Sequence, residues 1–411
     1  MIAGVLANKT VLELGSMIAA PFATHILNQL GAEVIKIEPP AGETTRKLVR
    51  GGPSGTYIAY NRGKKSLCLN LRSDEGQDIF RRLVESSDIV VHNLSPGAAR
   101  RLNVTYDACA AINPDIIFCH IKGYGHGPLA EEVASNPIAE AATGVMFSNR
   151  IAGRPSRLGP SYHDQFAGCY AVMGVLSALL DPAQSPERRN IEFGLYETGL
   201  HIAARDLVGV QLKSQLTGTP ETEPSPEFSM PGYGAYETED KRWIYLVMLT
   251  DDHWKRFCKA VGVPFDPDLA TLRGRRRERT KVEKLVKDAV AGFGYDRIAA
   301  ALSEHGVGHT EVLSADRVLD APQAREPKKY AEFPFAGYHF EAPDFPVASC
   351  TGAPESAAPP PLLGEHTCRL LERLGYPENR IAAFLRNGAA VAADETAELW
   401  AQSRKPAEAG T

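Results

Sequence analysis

Short apolar runs alternate with amphipathic stretches from Lys9 to about Lys122, and this rhythm constrains the fold more than any other property of the chain. Thr10-Val-Leu-Glu-Leu14, Glu33-Val-Ile-Lys-Ile-Glu38, Ser66-Leu-Cys-Leu-Asn-Leu71, Ile89-Val-Val-His92 and Ile116-Ile-Phe-Cys-His-Ile121 read as strands. Between them Pro21 to Leu30, closed by Gly31, and Ser73 to Ser86, opened by a capping serine and two acids, read as helices. Strands that recur with helices between them predict an α/β fold with an open, doubly wound parallel sheet and right-handed crossovers. No Gly-x-Gly-x-x-Gly follows the first strand, so the sheet lacks the dinucleotide fingerprint.

At 411 residues the chain exceeds one ordinary core. The proline-rich stretch 217–231 predicts a linker after a large domain over 1–216, and Gly234 to Met248 predicts a hairpin turning at Glu239-Asp-Lys-Arg. The hairpin opens a smaller α+β domain over 232–330. A second linker is expected over 331–361, then two helices within 362–411, His366 to Leu374 and Pro377 to Asn387, with a frayed tail after Ala393.

A net charge of −5 gives no electrostatic case for nucleic acid, and the one basic run, Arg273 to Arg279, is expected on a solvated helix face. Seven scattered cysteines without a C-x-x-C pair predict reduced thiols rather than disulfides or a metal site. No secretory signal and no membrane span are visible, so a cytoplasmic protein is expected.

Asp164 lies in Gly159-Pro-Ser-Tyr-His-Asp-Gln-Phe-Ala-Gly168, at the mouth of the small and apolar run Cys169 to Leu180. Such a carboxylate is either an N-terminal helix cap or a nucleophile in a desolvated pocket. The residues themselves leave both open. His163, its neighbour, reads as packing or as a support behind the site, since no Gly-x-Ser-x-Gly elbow accompanies it.

Several segments together resemble one family. They are Ala19-Ala-Pro-Phe-Ala-Thr24, Leu30 to Glu43, Asn61-Arg-Gly-Lys-Lys-Ser66, His92-Asn-Leu-Ser-Pro-Gly97, Ile112-Asn-Pro114, Ile121-Lys-Gly-Tyr-Gly125, Asp164 to Gly168 and Leu363-Gly-Glu-His-Thr367. In their order and spacing they resemble the class III coenzyme A transferases (CaiB/BaiF type), which include formyl-CoA transferases, mesaconyl-CoA transferases and the α-methylacyl-CoA racemases. The resemblance implies a Rossmann-like large domain completed by the returning C-terminus, and an interlocked homodimer. It implies Asp164 as the catalytic nucleophile. It also implies an acyl-CoA thioester and a carboxylic acid as substrates, with no permanently bound cofactor. Contacts to CoA are implied at Lys64, Lys65, Asn93, Leu94, Arg101, Lys122 and Tyr124. The acyl part is implied near Met17, Ile18 and Gly125, and near Gly232 in the partly glycine loop Met230-Pro-Gly-Tyr-Gly234.

Departures from the family pattern narrow the reaction. Where the racemase branch has a histidine in Gly-His-Asp, this chain has Ala134-Ser-Asn-Pro137, and neither Ser135 nor Asn136 exchanges protons near neutral pH. Where formyl-CoA transferases carry a glutamine, this chain has Ile18. The loop Gly15-Ser-Met-Ile-Ala-Ala-Pro21 resembles that of transferases acting on C4 and C5 dicarboxylates, and Arg46 is the expected partner of a second carboxylate. The expected activity is thus CoA transfer on a succinate, mesaconate, itaconate or citramalate type of acid, the alternatives being an acyl-CoA racemase or epimerase and a CoA-binding non-catalytic subunit.

Overall fold

The computed structural model describes residues 4–49, 54–183, 185–220, 230–325, 330–347 and 358–393. The chain divides into two compact units, residues 1–223 with 329–411, and residues 224–328.

The first unit is built on a seven-stranded sheet. Its strands are β1 (Thr10–Leu14), β2 (Glu33–Glu38), β3 (Lys65–Leu69), β4 (Ile89–His92), β5 (Ile117–Lys122), β6 (Asn190–Gly194) and β7 (Ala390–Val391). They stand in the order β7-β3-β2-β1-β4-β5-β6, all parallel except β7, which runs antiparallel along β3 through Ala390 opposite Leu69. The strands read as continuous apolar runs because both faces are covered. Val11, Val34, Ile89 and Cys119 point to a core closed by helix α1 (Ala19–Gln29) and the long helix α4 (Tyr162–Leu179). Their sequence neighbours Leu12, Ile35, Val90 and Phe118 point to the other face, closed by α2 (Asp74–Glu85) and two C-terminal helices, Thr367–Arg373 and Glu378–Asn387. Helix α2 starts where its sequence says it should: the Ser73 hydroxyl accepts the Gly76 N–H at 3.1 Å, with Asp74 and Glu75 in the first turn. The returning C-terminus is stitched to the sheet by Thr367, whose hydroxyl accepts the Cys68 N–H and donates to the Val391 carbonyl.

Part of the expected linker over 331–361 is instead a hairpin, Tyr330–Phe335 against Tyr338–Pro343. Tyr330, Phe333 and Phe335 turn inward, and the two-residue turn Ala336-Gly337 has φ of 57° and 78°, the left-handed pair that suits a tight hairpin. The core of the expected linker over 217–231 lies outside the described residues, but helix Ala204–Thr217 runs up to it and ends on Gly218 in the left-handed conformation.

The second unit has a three-stranded antiparallel sheet, with Trp243–Val247 between Gly234–Glu237 and Gly308–Glu311. Its helices close a core around Trp254, Phe257 and Val286. Arg275, expected on a solvated face, is buried here: its guanidinium donates to the Leu269 and Ala270 carbonyls and to Asp251 and lies near the Trp254 ring. A guanidinium has enough donors for such a site, so a basic run need not be a wet one. Among the described residues no helix is long and apolar enough to cross a membrane.

Candidate active site

Helices α1 and α4 cross in close contact. A β-carbon added at Gly168 would lie 2.9 Å from the Phe22 ring and 3.0 Å from the Ala19 carbonyl oxygen. The small residues Ala167, Gly168 and Ala171, facing Ala19, Ala20 and Ala23, are therefore what lets the two helices approach. This crossing sets the first turn of α4 beside the first turn of α1, and both join the rim of one cleft.

The cleft, about 460 Å³ in volume, is lined by residues 16–19 after β1, 93–96 after β4, 121–123 at the end of β5, 132–137, Arg157, Ser161, Asp164 and Leu195. It opens at the carboxyl ends of the strands where the order reverses between β1 and β4, the usual ligand crevice of an open α/β sheet.

Asp164 is in the first turn of α4 but caps nothing. The helix is capped from outside, by Asn136 at the start of α3 (Asn136–Ala142). The Asn136 side-chain oxygen accepts the N–H groups of His163 at 3.0 Å and Asp164 at 3.4 Å. The Asn136 amide donates in turn to the buried Glu140, which also accepts the Leu158 N–H at 3.2 Å. Among the described residues nothing donates a hydrogen bond to the Asp164 carboxylate. Burial therefore dominates and pushes its pKa up from 3.8 to about 7; nearby Glu140 adds to the rise and Arg157 opposes it. His163 is buried with one ring nitrogen 3.3 Å from the Thr143 hydroxyl, and burial lowers its pKa, so it packs as a neutral ring.

Of the residues implied for CoA and the acyl group, Asp164, Met17, Ile18, Asn93, Leu94 and Lys122 meet in this cleft. Asn93 works on the protein itself: its amide binds both backbone groups of Ser16, at 2.9 and 3.0 Å. Lys122 is paired with Glu192 at 2.8 Å.

The others stand elsewhere. Lys64 is 2% exposed and spends its donors on Glu13, the Pro21 carbonyl and Asn61, so it is a structural cation and no contact for phosphate. Arg46, expected to meet a second substrate carboxylate, forms a two-pronged ion pair with Glu38 at 2.6 and 2.7 Å beneath the Tyr57 ring; its fork is already filled. Lys65 pairs with Glu33 beside Arg373, away from the cleft lining. Arg101 ends the short helix Pro96–Arg101 without reaching the lining. Tyr124 packs on Tyr196, and Gly125, implied near the acyl part, lies outside the cleft lining with its N–H donated to Glu197 at 2.8 Å. Gly232 belongs to the second unit, where its N–H donates to Glu283.

Sequence reasoning missed Arg157 on the cleft wall and the capping role of Asn136. No local signal marks the second: Asn136 caps a helix that begins 26 residues further along the chain, while the N-cap of its own helix is Ser135.

The model of the family described as CoA-transferase family III matches residues 6–367, so the chain belongs to that family and is a CoA-transferase. A succinyl-CoA–D-citramalate CoA-transferase of Chloroflexus aurantiacus is 30% identical over 326 residues, covering 76% of this chain and 79% of that protein. A succinyl-CoA:mesaconate CoA-transferase of Haloarcula hispanica is 26% identical, covering 90% and 97%. The crystal structure of a CaiB/BaiF family protein from Brucella suis superposes with a TM-score of 0.78 at 24% identity over 90% of this chain and 99% of that one, a likeness of fold.

Proposed function

We propose that this enzyme transfers CoA between short dicarboxylic acids through a covalent intermediate on Asp164. The observation that carries the reading is the carboxylate of Asp164, desolvated and, among the described residues, without a hydrogen-bond donor, in the crevice of a CoA-transferase. An ionised Asp164 attacks the thioester carbonyl of the donor; the C–S bond breaks, and an aspartyl anhydride and CoA thiolate form. The thiolate attacks the aspartyl carbonyl, releases the donor acid and leaves an aspartyl-CoA thioester. The acceptor carboxylate attacks that thioester, freeing the thiolate again. The thiolate then attacks the acceptor carbonyl, which returns Asp164 and yields the new acyl-CoA. Every step exchanges one activated acyl bond for another, so water is the competitor to exclude.

Similarity to the citramalate and mesaconate transferases supports a dicarboxylate substrate. With Arg46 committed to Glu38 and the lining Lys122 to Glu192, Arg157, whose nearest acid Glu140 is 3.9 Å away, is the lining cation suited to the distal carboxylate. Asn136 in the capping role argues against a second proton-transfer group there, and so against racemization. The reading extends to a homodimer with interlocked chains in the cytoplasm. The exposed apolar face of helix Ala204–Thr217, with Val208, Leu212 and Leu216 at 62%, 55% and 77%, supports a covering partner subunit, while the interlocking and the location rest on the family resemblance alone.

The test is incubation with succinyl-CoA and a panel of acids (mesaconate, itaconate, citramalate, oxalate and formate), following new thioesters by mass spectrometry. Dicarboxylates should accept CoA, and Asp164→Ala should abolish all exchange. Near wild-type exchange in that variant, or α-proton exchange with deuterated water in the absence of any acceptor, contradicts the reading.

A further inference from the structure

Beneath the loop that joins β1 to α1 lies a buried chain of charges. Glu13 pairs through one oxygen with Lys36 and through the other with Lys64, each at 2.7 Å, and also accepts the Thr24 hydroxyl. Lys36 donates to the Gly15 carbonyl at 3.0 Å and stands 3.4 Å from Glu43. Glu43 ends the chain on the backbone, its second oxygen accepting the Met17 N–H at 3.1 Å.

Met17 is the point of interest. It is one of few non-glycine residues with positive φ, 65°, and its side chain is 41% exposed in the cleft lining. A left-handed conformation is unfavourable for an L-residue unless its surroundings hold it. Here the clamp is two-sided, with Asn93 on both backbone groups of Ser16 and Glu43 on the next N–H. Glu43 is delivered by a turn at Gly42, φ 71°, and is itself 5% exposed.

We propose that Glu43 is a positioning residue for the CoA site: by accepting the Met17 N–H it locks the left-handed kink that sets the cleft wall formed by Met17 and Ile18. The proposal rests on the reading of this cleft as the CoA site, and it separates two duties of one carboxylate. The charge of Glu43 answers Lys36 and serves the fold. Its acceptor oxygen, at full side-chain reach, serves the loop.

Three variants divide these duties, read by the Kd for coenzyme A in titration calorimetry together with Tm. Glu43→Asp keeps the charge but retracts the acceptor by one methylene, and is expected to weaken CoA binding about tenfold with a modest change in Tm. Glu43→Gln keeps the reach and an acceptor oxygen without the charge, so Tm should fall while Kd stays within about threefold of wild type. Glycine adopts positive φ freely, so Met17→Gly should rescue Glu43→Asp, returning Kd to that of the Met17→Gly single variant without restoring Tm. An unchanged Kd in Glu43→Asp, an equal loss in Glu43→Gln, or a loss that Met17→Gly leaves in place overturns the proposal. CoA binding needs neither acceptor acid nor nucleophile, so Asp164→Asn, run alongside in the acid panel, reports separately on the catalytic assignment.

Discussion

Asp164 and Glu13 are both shielded acids in the β1-α1-α4 region of one sheet, and their chemistry could hardly differ more. Burial pushes Glu13 up, but Lys36 and Lys64, one on each oxygen, overcome that and bring it down to about 2. Burial pushes Asp164 up as well, and with no donor on its oxygens among the described residues the rise stands, to about 7. Shielding from water is thus common to the lysine-held carboxylate and to the proposed nucleophile; the partners decide where the pKa of each comes to lie.

The widest way to break the comparison is to take the charge from the paired acid. Glu13→Gln leaves Lys64 buried without its anion and Lys36 with only Glu43 at 3.4 Å, and should cost about 3–5 kcal/mol of stability in urea unfolding at pH 7. A loss under about 1 kcal/mol would mean that the lysines do not depend on Glu13.

The same neutralisation at Asp164 should act in the opposite direction. Its folded pKa lies above its unfolded one, so the unfolded chain releases its proton first, and the folded state loses stability as pH rises from about 4 to about 7. Asp164→Asn should therefore be more stable than wild type, and the advantage should grow by roughly 2 kcal/mol between pH 5 and pH 8. An advantage independent of pH would contradict the raised pKa.

A smaller effect sharpens the electrostatics. If Asp164 is the nucleophile proposed, kcat/KM of the wild type should rise with pH through an apparent pKa near 7, because the attack needs the ionised carboxylate. Arg157 pulls that value down, so Arg157→Gln should move the midpoint of the profile upward, by roughly half a unit. A downward move would show that Arg157 does not face Asp164 in solution.

Most of the sheet was legible because its strands are buried on both faces and read as apolar runs. β6 and β7 were not. Asn190-Ile-Glu-Phe-Gly194 has only two apolar residues, and Ala390-Val391 becomes a strand only by pairing with Leu69 and Cys68, far away in the chain. The same limit governed the site. Asp164 opens a helix, Asn93 follows a strand and Lys122 ends one, so their place on the cleft rim accords with their sequence positions, although only the family resemblance proposed roles for them. Lys64 and Arg46 could not be placed in this way, since what disqualifies them is a partner: Glu13, 51 residues from Lys64, and a Glu38 carboxylate turned back from the preceding strand. A cation's sequence context shows that it can bind an anion and does not show that one of the protein's own has already taken it.

The central claim is that the unpaired carboxylate is the one that becomes acylated, and trapping tests it most directly. Wild-type enzyme, Asp164→Asn and Glu13→Gln are incubated with succinyl-CoA, quenched with hydroxylamine and digested, and the peptides are read by mass spectrometry. The expected result is a hydroxamate on Asp164 in the wild type and in any folded Glu13→Gln protein, and none in Asp164→Asn. Modification elsewhere, or CoA transfer by Asp164→Asn at near the wild-type rate, would contradict it.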